Sequence, residues 1–331
     1  MLDTAITMNP EASPQQILRT IQTAEELNIS TCYIADQGFT LDLYVTLSVA
    51  ACNTSRIRLG PGVTHPYTRH PVVTAVSIAS LDAFSGGRAF LGIGAGGSRS
   101  LVPMQISRSK PLQLSREVVE IARLLWKGEP VTYEGEFFKL KDARIGFPCR
   151  PDIEIHWAAR GPKMLELGGE LADVNLLHAI PHFDLENVVA IVRRGAAKAK
   201  RETKLQYAAM LVYDDASRAI ARARTVYRLV DSSDEVKEKL GLSEDKINEM
   251  RQLVTTSGPK SAAFLVSDEI LNNYVIEGDS AMCAQILQQK IIDLGLTGIT
   301  IEVPDPTNSE NHLHFIADML NSINKEVIEN K

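Results

Sequence analysis

An acid and an amide follow one of the short apolar runs of the chain. Asp36 and Gln37 come directly after the run Thr31–Ala35. A carboxylate beside a carboxamide can bond the polar edge of a cofactor ring or of a substrate. The same residue types also serve as helix N-caps and as turn residues, so the sequence leaves both interpretations open.

Two glycine-rich segments follow other apolar runs. Residues 59–66 read LGPGVTHP, which indicates an unusual backbone path such as a bulge, against which a flat ligand could lie; an ordinary tight turn is the alternative. Residues 92–97 read GIGAGG and formally match the dinucleotide pattern G-x-G-x-x-G. That pattern needs a helix at the glycines, whereas Ser98–Pro111 contains two prolines and is predicted to be a loop. We therefore reject a dinucleotide-binding turn and predict a flexible loop that lies above a bound ligand.

A third segment has the features of a phosphate site. Ala158–Lys163 reads AARGPK and leads from an apolar run into a helix predicted to begin at Gly161-Pro162. Free amide groups at a helix start, a glycine that allows close approach, and the cations Arg160 and Lys163 would together suit a phosphate. A helix that merely starts with proline and carries two solvated cations is equally compatible with the sequence.

Other common chemistries lack their motifs. The histidines near predicted strand ends show no H-E-x-x-H or comparable spacing, so no metal site is expected. The chain also contains no G-x-S-x-G elbow and no G-x-x-x-x-G-K-[ST] loop, which leaves hydrolase and phosphoryl-transfer interpretations without support.

The segments above belong to a regular alternation of strands and helices. The runs predicted as strands are Leu2–Met8, Thr31–Ala35, Ile57–Thr64, Arg88–Gly94, Ile153–Ala159, Val174–Leu177, Gln206–Tyr213 and Gly298–Val303. Helices are predicted between them, among them Ser13–Leu27, Leu41–Ala51, Pro71–Phe84, Leu114–Trp126 and a closing helix Asn311–Ile328. Strict alternation of this kind predicts a parallel sheet covered by helices.

Eight units without a break in composition favour an α/β fold of the (β/α)8 TIM-barrel type over a doubly wound sheet with a second domain. We expect residues 1–331 to form a single domain. Residues 214–273, mostly helical and charged, would be a helical insertion before the last strand. In such a barrel, functional residues lie at the carboxyl ends of the strands, which is where the three segments fall.

The composition excludes several classes of partner. The net charge is −6 and basic residues are spread along the chain, so no nucleic-acid or membrane footprint is expected. No secretion signal or spanning segment is evident, and the four cysteines form no CxxC pair and are typical of buried free thiols. The sequence thus predicts a cytoplasmic protein with a small-molecule substrate.

With these segments in view, the sequence resembles the luciferase-like superfamily, and in particular the F420-dependent methylenetetrahydromethanopterin reductases of methanogenic archaea. The most specific block is LGPGVTHPYTRHPVVTAVSIASLDAFSGGRAFLGIG at residues 59–94, and a second is AARGPKMLELGGELAD at residues 158–173. The resemblance implies a luciferase-like barrel with an insertion, a homodimer, coenzyme F420 as cofactor with FMN as alternative, and a tetrahydropterin substrate.

The resemblance also implies a site. The bulge of the third strand would carry a cis peptide bond at Gly62-Val63 behind the deazaflavin ring, and the phosphate would lie at the start of the helix after the fifth strand. The cofactor-binding residues so predicted are Asp36, Gln37, Gly62, Val63, Thr64, Gly94, Ala95, Gly96, Gly97, Ala159, Arg160, Gly161, Pro162 and Lys163. Catalytic residues stay unassigned.

Three positions depart from the family pattern. Where the reductases place a glutamate near the end of the first strand, an aspartate just after the glycines of the fourth and an Asp-His pair after the second, this chain has Thr7, Gly97 and Asp36-Gln37. Three hypotheses therefore remain: a pterin reductase, an F420- or FMN-dependent oxidoreductase or monooxygenase on another substrate, and a non-catalytic cofactor-binding protein.

Overall fold

The computed structural model describes residues 2–329. Its strands are β1 (Asp3–Met8), β2 (Thr31–Ile34), β3 (Arg58–Pro61), β4 (Leu91–Gly94), β5 (Val131–Glu134), β6 (Lys139–Ala143), β7 (Ile155–Ala158), β8 (Val174–His178), β9 (Lys204–Val212), β10 (Val275–Glu277) and β11 (Gly298–Glu302). Its α-helices are α1 (Pro14–Glu26), α2 (Leu43–Cys52), α3 (Pro71–Ser85), α4 (Ser98–Leu101), α5 (Pro111–Trp126), α6 (Pro162–Leu171), α7 (Leu185–Lys198), α8 (Asp215–Val230), α9 (Asp234–Lys239), α10 (Glu244–Ser257), α11 (Asp268–Leu271), α12 (Ser280–Leu294) and α13 (Glu310–Glu329).

Eight parallel strands form the barrel. They hydrogen-bond in the order β3-β2-β1-β11-β9-β8-β7-β4. Isolated parallel bridges, Leu59 to Ala89 and Thr64 to Ile93, join the two ends of this order. Each of the eight predicted strands is present, and the predicted (β/α)8 fold is confirmed.

Local signals in the sequence explain where the outer helices begin. Ser13 caps α1 and forms a capping box with Gln16, and Pro14 occupies the first turn. His70 caps α3 before Pro71 in the same way, and this helix ends at Gly86 in the left-handed conformation. The apolar faces of these helices then pack on the barrel.

Side chains fill the barrel interior, and some of them are polar. The hydroxyl of Tyr33 lies 2.7 Å from Nδ1 of His156 and donates to Oε1 of Gln206 at 2.9 Å. The ring of Phe90 stacks on His156 with centroids 4.1 Å apart. These buried bonds satisfy polar groups that would otherwise be costly inside the barrel. The barrel interior is therefore a packed core, and the mouth of the barrel is the place where a ligand can bind.

Several elements differ from the sequence-based expectations. An antiparallel hairpin, β5–β6, follows α5; the carboxylate of Glu117 anchors it by accepting from the backbone N–H groups of Glu136 (2.8 Å) and Phe138 (3.0 Å). Residues 98–101, predicted as loop, form the one-turn helix α4, which is closed by the backbone N–H of Leu101 donating to the carbonyl oxygen of Gly97 (3.2 Å). The expectation of buried cysteines is wrong for Cys52, which is exposed at the end of α2, and for Cys149, which is only half-buried.

Residues 214–273 contain α8 to α11 and a 3₁₀ helix, Pro259–Leu265. Their apolar side chains form a second cluster that includes Met210 and Val212 of β9 and Val275 of β10. The assignment of this segment to an insertion within one domain stays a prediction. Among residues 2–329, no helix has the length and apolar character to cross a membrane.

Candidate functional site

A cavity of about 570 Å³ lies at the carboxyl ends of the barrel strands. Seven of the eight barrel strands, or the residues directly after them, line it, together with the inner face of α8. Its volume is in the range of small-molecule sites. Its position is the one at which barrels place their functional residues. We therefore regard it as the candidate site.

One wall of the cavity is nearly free of side chains. The Gly62-Val63 peptide bond after β3 is cis, as the resemblance implies. A Cβ atom on Gly94 would lie 2.8 Å from the carbonyl oxygen of Ala158 and 3.0 Å from Val63 Cγ2, so glycine is required there for close packing. The result is a low wall, made of Gly62, Val63, Gly94 and Ala158, that can accept a flat ring.

Asp36 and Gln37 lie beside this wall. The hydroxyl of Thr64 donates to Oδ2 of Asp36 at 2.7 Å, which fixes the carboxylate. Thr64 itself is buried and does not line the cavity. Burial lowers the pKa of the neighbouring His65, although Asp36 acts in the opposite direction. The acid predicted to contact a ligand is thus present at the mouth, and the predicted Thr64 supports it from behind.

Arginines are the most numerous charged residues in the remaining part of the lining, which we call the arginine side. Five arginines line it against three carboxylates; the arginines are Arg99, Arg108, Arg160, Arg224 and Arg228, and the carboxylates are Asp36, Asp231 and Glu302. Several guanidinium groups bond backbone oxygens: Arg108 bonds that of Gly96 (3.1 Å), and Arg160 bonds that of Arg228 (3.1 Å) while lying 3.6 Å from the carboxylate of Asp231. Burial lowers the pKa of Arg160 and Arg224. This excess of desolvated positive charge favours an anionic ligand.

A buried carboxylate stands at the centre of the arginine side. Glu302 ends β11 and is bonded by Arg228 of α8, while Nη1 of Arg224 lies 3.8 Å away and Nε2 of His178 lies 3.0 Å away. Burial by itself would raise the pKa of Glu302, but Arg228, His178 and Arg224 outweigh it and hold the pKa well below its usual range. Glu302 is therefore ionised at neutral pH.

The helix predicted to hold a phosphate begins where expected. Gly161 is the N-cap of α6 and carries no side-chain cap, and the space around its Cα is open. Arg160 and Gly161 line the cavity. Pro162 and Lys163 are exposed and do not line it, because the first turn of α6 directs them outwards.

The predicted residues thus divide into two groups. Eleven of the fourteen line the cavity: Asp36, Gln37, Gly62, Val63, Gly94, Ala95, Gly96, Gly97, Ala159, Arg160 and Gly161. Thr64, Pro162 and Lys163 do not, and whether any of the fourteen contacts a cofactor stays a prediction. Sequence reasoning missed Arg224, Arg228, His178 and Glu302. In the described part of the chain, no three His, Cys, Asp or Glu side chains are arranged to hold a metal.

Comparisons with known proteins show the family to which the chain belongs. The model of the luciferase-like monooxygenase family matches residues 3–298. The chain belongs to this family. It is 36% identical to a 5,10-methylenetetrahydromethanopterin reductase of Archaeoglobus fulgidus, over 85% of this chain and 86% of that one. It is 34% identical to the same reductase of Methanolobus tindarius, over 88% and 91% of the two chains.

The fold comparison leads to the same group of luciferase-like enzymes. The solved structure of the coenzyme F420-dependent tetrahydromethanopterin reductase of Methanopyrus kandleri superposes with a TM-score of 0.85 and 27% identity. The match covers 96% of this chain and 97% of that one. The similarity therefore extends over the whole barrel and the segment between β9 and β10.

Proposed function

We propose that this protein is an F420-dependent oxidoreductase that transfers a hydride between reduced deazaflavin and a one-carbon-carrying pterin, as in a methylenetetrahydromethanopterin reductase. The observation that carries the proposal is the 34–36% identity to two archaeal reductases of that name over more than four fifths of each chain. The cavity supports it independently, because its chemistry suits a flat ring attached to an anionic group.

The residues present fit this cofactor. A Cβ atom on Gly62 or Gly94 would collide with Tyr33 or Ala158, so the wall of Gly62, Val63 and Gly94 stays low and would lie against one face of a ring. Arg160 and the uncapped amides at the start of α6 would hold a phosphate. Arg108 would add positive charge nearby.

When bound, the reduced deazaflavin supplies a hydride to a carbon electrophile. The protein's part is to place that carbon within reach and to exclude water. Asp36, held by Thr64, would orient the polar edge of a ligand. The arginine side of the cavity would hold the anionic part of the cofactor or substrate.

An anoxic assay of the purified protein with reduced F420 and methylenetetrahydromethanopterin tests the proposal. We expect formation of oxidised F420 that depends on the pterin. Methylenetetrahydrofolate serves as a second substrate. Failure of both pterins to oxidise reduced F420 would contradict the pterin assignment.

A second candidate is a monooxygenase that uses reduced FMN. The description of the matching family model favours it. Oxygen consumption with reduced FMN, together with no reaction of reduced F420, would replace the first proposal with this one. A third outcome, binding of F420 without turnover of any substrate, would favour the non-catalytic hypothesis.

The proposal extends to the setting of the protein. We place it in the cytoplasm of an archaeon, in one-carbon metabolism of the methanogenic type, as a homodimer. Exposed apolar side chains on two adjacent helices support self-association: Val45 and Val49 on α2, and Val73 and Phe84 on α3, the last 70% exposed. Light scattering on a size-exclusion column is expected to give twice the mass of the chain.

The domain organisation is also part of the proposal. Residues 1–331 would be one domain and residues 214–273 an insertion in it. The support is that α8 contributes Arg224 and Arg228 to the barrel cavity while its apolar face packs with β9. Limited proteolysis is expected to cut within 214–273 without releasing a stable fragment.

A further inference from the structure

Opening a methylene bridge breaks a carbon–nitrogen bond, and the departing nitrogen needs a proton. The proposed function therefore requires an acid in the cavity. Thr7, which lines the cavity at the end of β1, cannot supply one at neutral pH. Its neighbour across the sheet is Glu302, which is in register with it on β11. The acid should be sought among the titratable side chains that line the same cavity.

Most of these side chains are unsuited to donate a proton. Glu302 is buried, and its contacts with Arg228 and Arg224 keep it ionised. Asp36 accepts a hydrogen bond from the hydroxyl of Thr64, and Asp231 lies against Arg160. His65 is only 3% exposed.

His178 differs from these three carboxylates and from His65. It is at the end of β8 and its side chain is 45% exposed, on the surface of the cavity. Its Nε2 lies 3.0 Å from Oε1 of Glu302. With Nε2–H donating to that carboxylate, Nδ1 is on the opposite side of the ring. Among residues 2–329 it makes no hydrogen bond, and it is free to carry a proton to a ligand.

We propose that His178 is the proton donor of the reaction and that Glu302 positions it. The inference rests on the proposed function. The methylene carbon accepts the hydride, the carbon–nitrogen bond breaks, and its electron pair stays on the nitrogen. That nitrogen takes the proton from Nδ1 of His178, and water returns a proton to Nδ1 afterwards. Glu302, held by Arg228, accepts from Nε2–H and keeps the imidazole in one orientation.

His178→Ala is the first variant. We expect kcat for the methylene pterin to fall about 100-fold or more, the range for loss of a general acid, with the KM values and the F420 affinity changed little. Added imidazole should restore part of kcat, which a structural role would not predict. The exposed His314 on α13 provides the matched control, His314→Ala, which should behave as wild type and show no imidazole effect.

A readout without cofactor tests the role of Glu302. In the ligand-free protein, the ¹⁵N shifts of the His178 ring should report a protonated Nε2 bonded to a carboxylate and should change in Glu302→Gln. Wild-type kcat in His178→Ala, or ring shifts unaffected by Glu302→Gln, would overturn the inference while leaving the proposed function standing. A wild-type protein inactive with every pterin would instead overturn the proposed function, and the donor assignment with it.

Discussion

At the amino-terminal end of the barrel, acidic side chains are shared among several bases, whereas at the carboxyl-terminal end arginines outnumber the acids. Glu154, just before β7, contacts Arg58, Lys204 and His156. Asp173, just before β8, is shared in the same way by Arg123 and Arg201. At the mouth, five arginines converge on a cavity lined by three carboxylates.

This difference indicates that the charges at the two ends of the barrel have different roles. Charges at the amino-terminal end satisfy one another, so their removal should cost stability and nothing else. Arginines at the mouth that bond backbone oxygens keep capacity for an anionic ligand, so their removal should cost binding. The buried Arg228–Glu302 pair is the exception, because it lies at the mouth but is closed to solvent.

Arg228→Leu should have the largest effect of the variants below. It leaves the buried Glu302 with Arg224 and His178 as its remaining partners, and loss of one partner of a buried pair costs about 3 kcal/mol. We expect the free energy of unfolding in urea to fall by about that amount at neutral pH. Arg224→Leu, whose guanidinium lies 3.8 Å from Glu302, is the control and should cost less. Equal losses in the free energy of unfolding would show that the Arg228–Glu302 pair contributes no more than the longer Arg224–Glu302 contact.

Arg160→Gln should weaken F420 binding about 10- to 100-fold, because a charge-assisted hydrogen bond contributes about 1.5–3 kcal/mol. Stability should change by less than in Arg228→Leu, since the guanidinium bonds the backbone oxygen of Arg228 and lies 3.6 Å from Asp231, outside hydrogen-bond distance. Lys163→Gln is the matched control three residues away, on the outer side of α6, and should bind F420 as wild type does. A fluorescence titration measures both affinities. If Lys163→Gln weakened F420 binding more than Arg160→Gln, the phosphate would have to be assigned to Lys163.

Glu154→Gln should lower the free energy of unfolding by about 1–2 kcal/mol, because Arg58 and Lys204 lose a charged partner. The F420 affinity should stay within about twofold, since Glu154 is at the far end of the barrel. Urea denaturation and the same titration check the two halves of this prediction. If Glu154→Gln lowered the F420 affinity without lowering the free energy of unfolding, charges at the amino-terminal end of the barrel would not serve stability alone.

The pH dependence of this variant should follow from the same contacts. His156 and Arg58, against the effect of burial, hold the pKa of Glu154 far below its ordinary value near 4.5. The folded protein therefore resists protonation of Glu154, so this stabilisation is complete above about pH 4.5 and is lost as the pH falls further. The stability gap between wild type and Glu154→Gln should shrink as the pH is lowered from about 4.5. A constant gap would mean that Glu154 acts through its shape and not its charge.

The sequence predicted the barrel well because each strand is a short apolar run bounded by turn residues, as in Thr31–Ala35. The hairpin β5–β6 was missed although Gly135 separates two alternating runs, a signal that could have identified it. The low wall was predicted because glycines such as Gly62 and Gly94, which allow a ligand to approach the backbone closely, are visible in the sequence itself.

The arginine side could not be predicted in this way. Arg224 and Arg228 are four residues apart on one face of α8, a spacing that is ordinary for a solvated helix. Only the packing of α8 against β9 brings this face over the mouth. Likewise, Arg160 and Lys163 looked equivalent in the sequence, and the start of α6 at Pro162 separates them.

The most direct test of the central claim, that the mouth of the barrel is a deazaflavin site, is a fluorescence and absorbance titration of the purified protein with oxidised F420 and, separately, with FMN. We expect saturable binding of F420 and much weaker binding of FMN, with the F420 affinity lowered in Arg160→Gln and unchanged in Glu154→Gln. Binding of neither compound, or a preference for FMN, would contradict the claim.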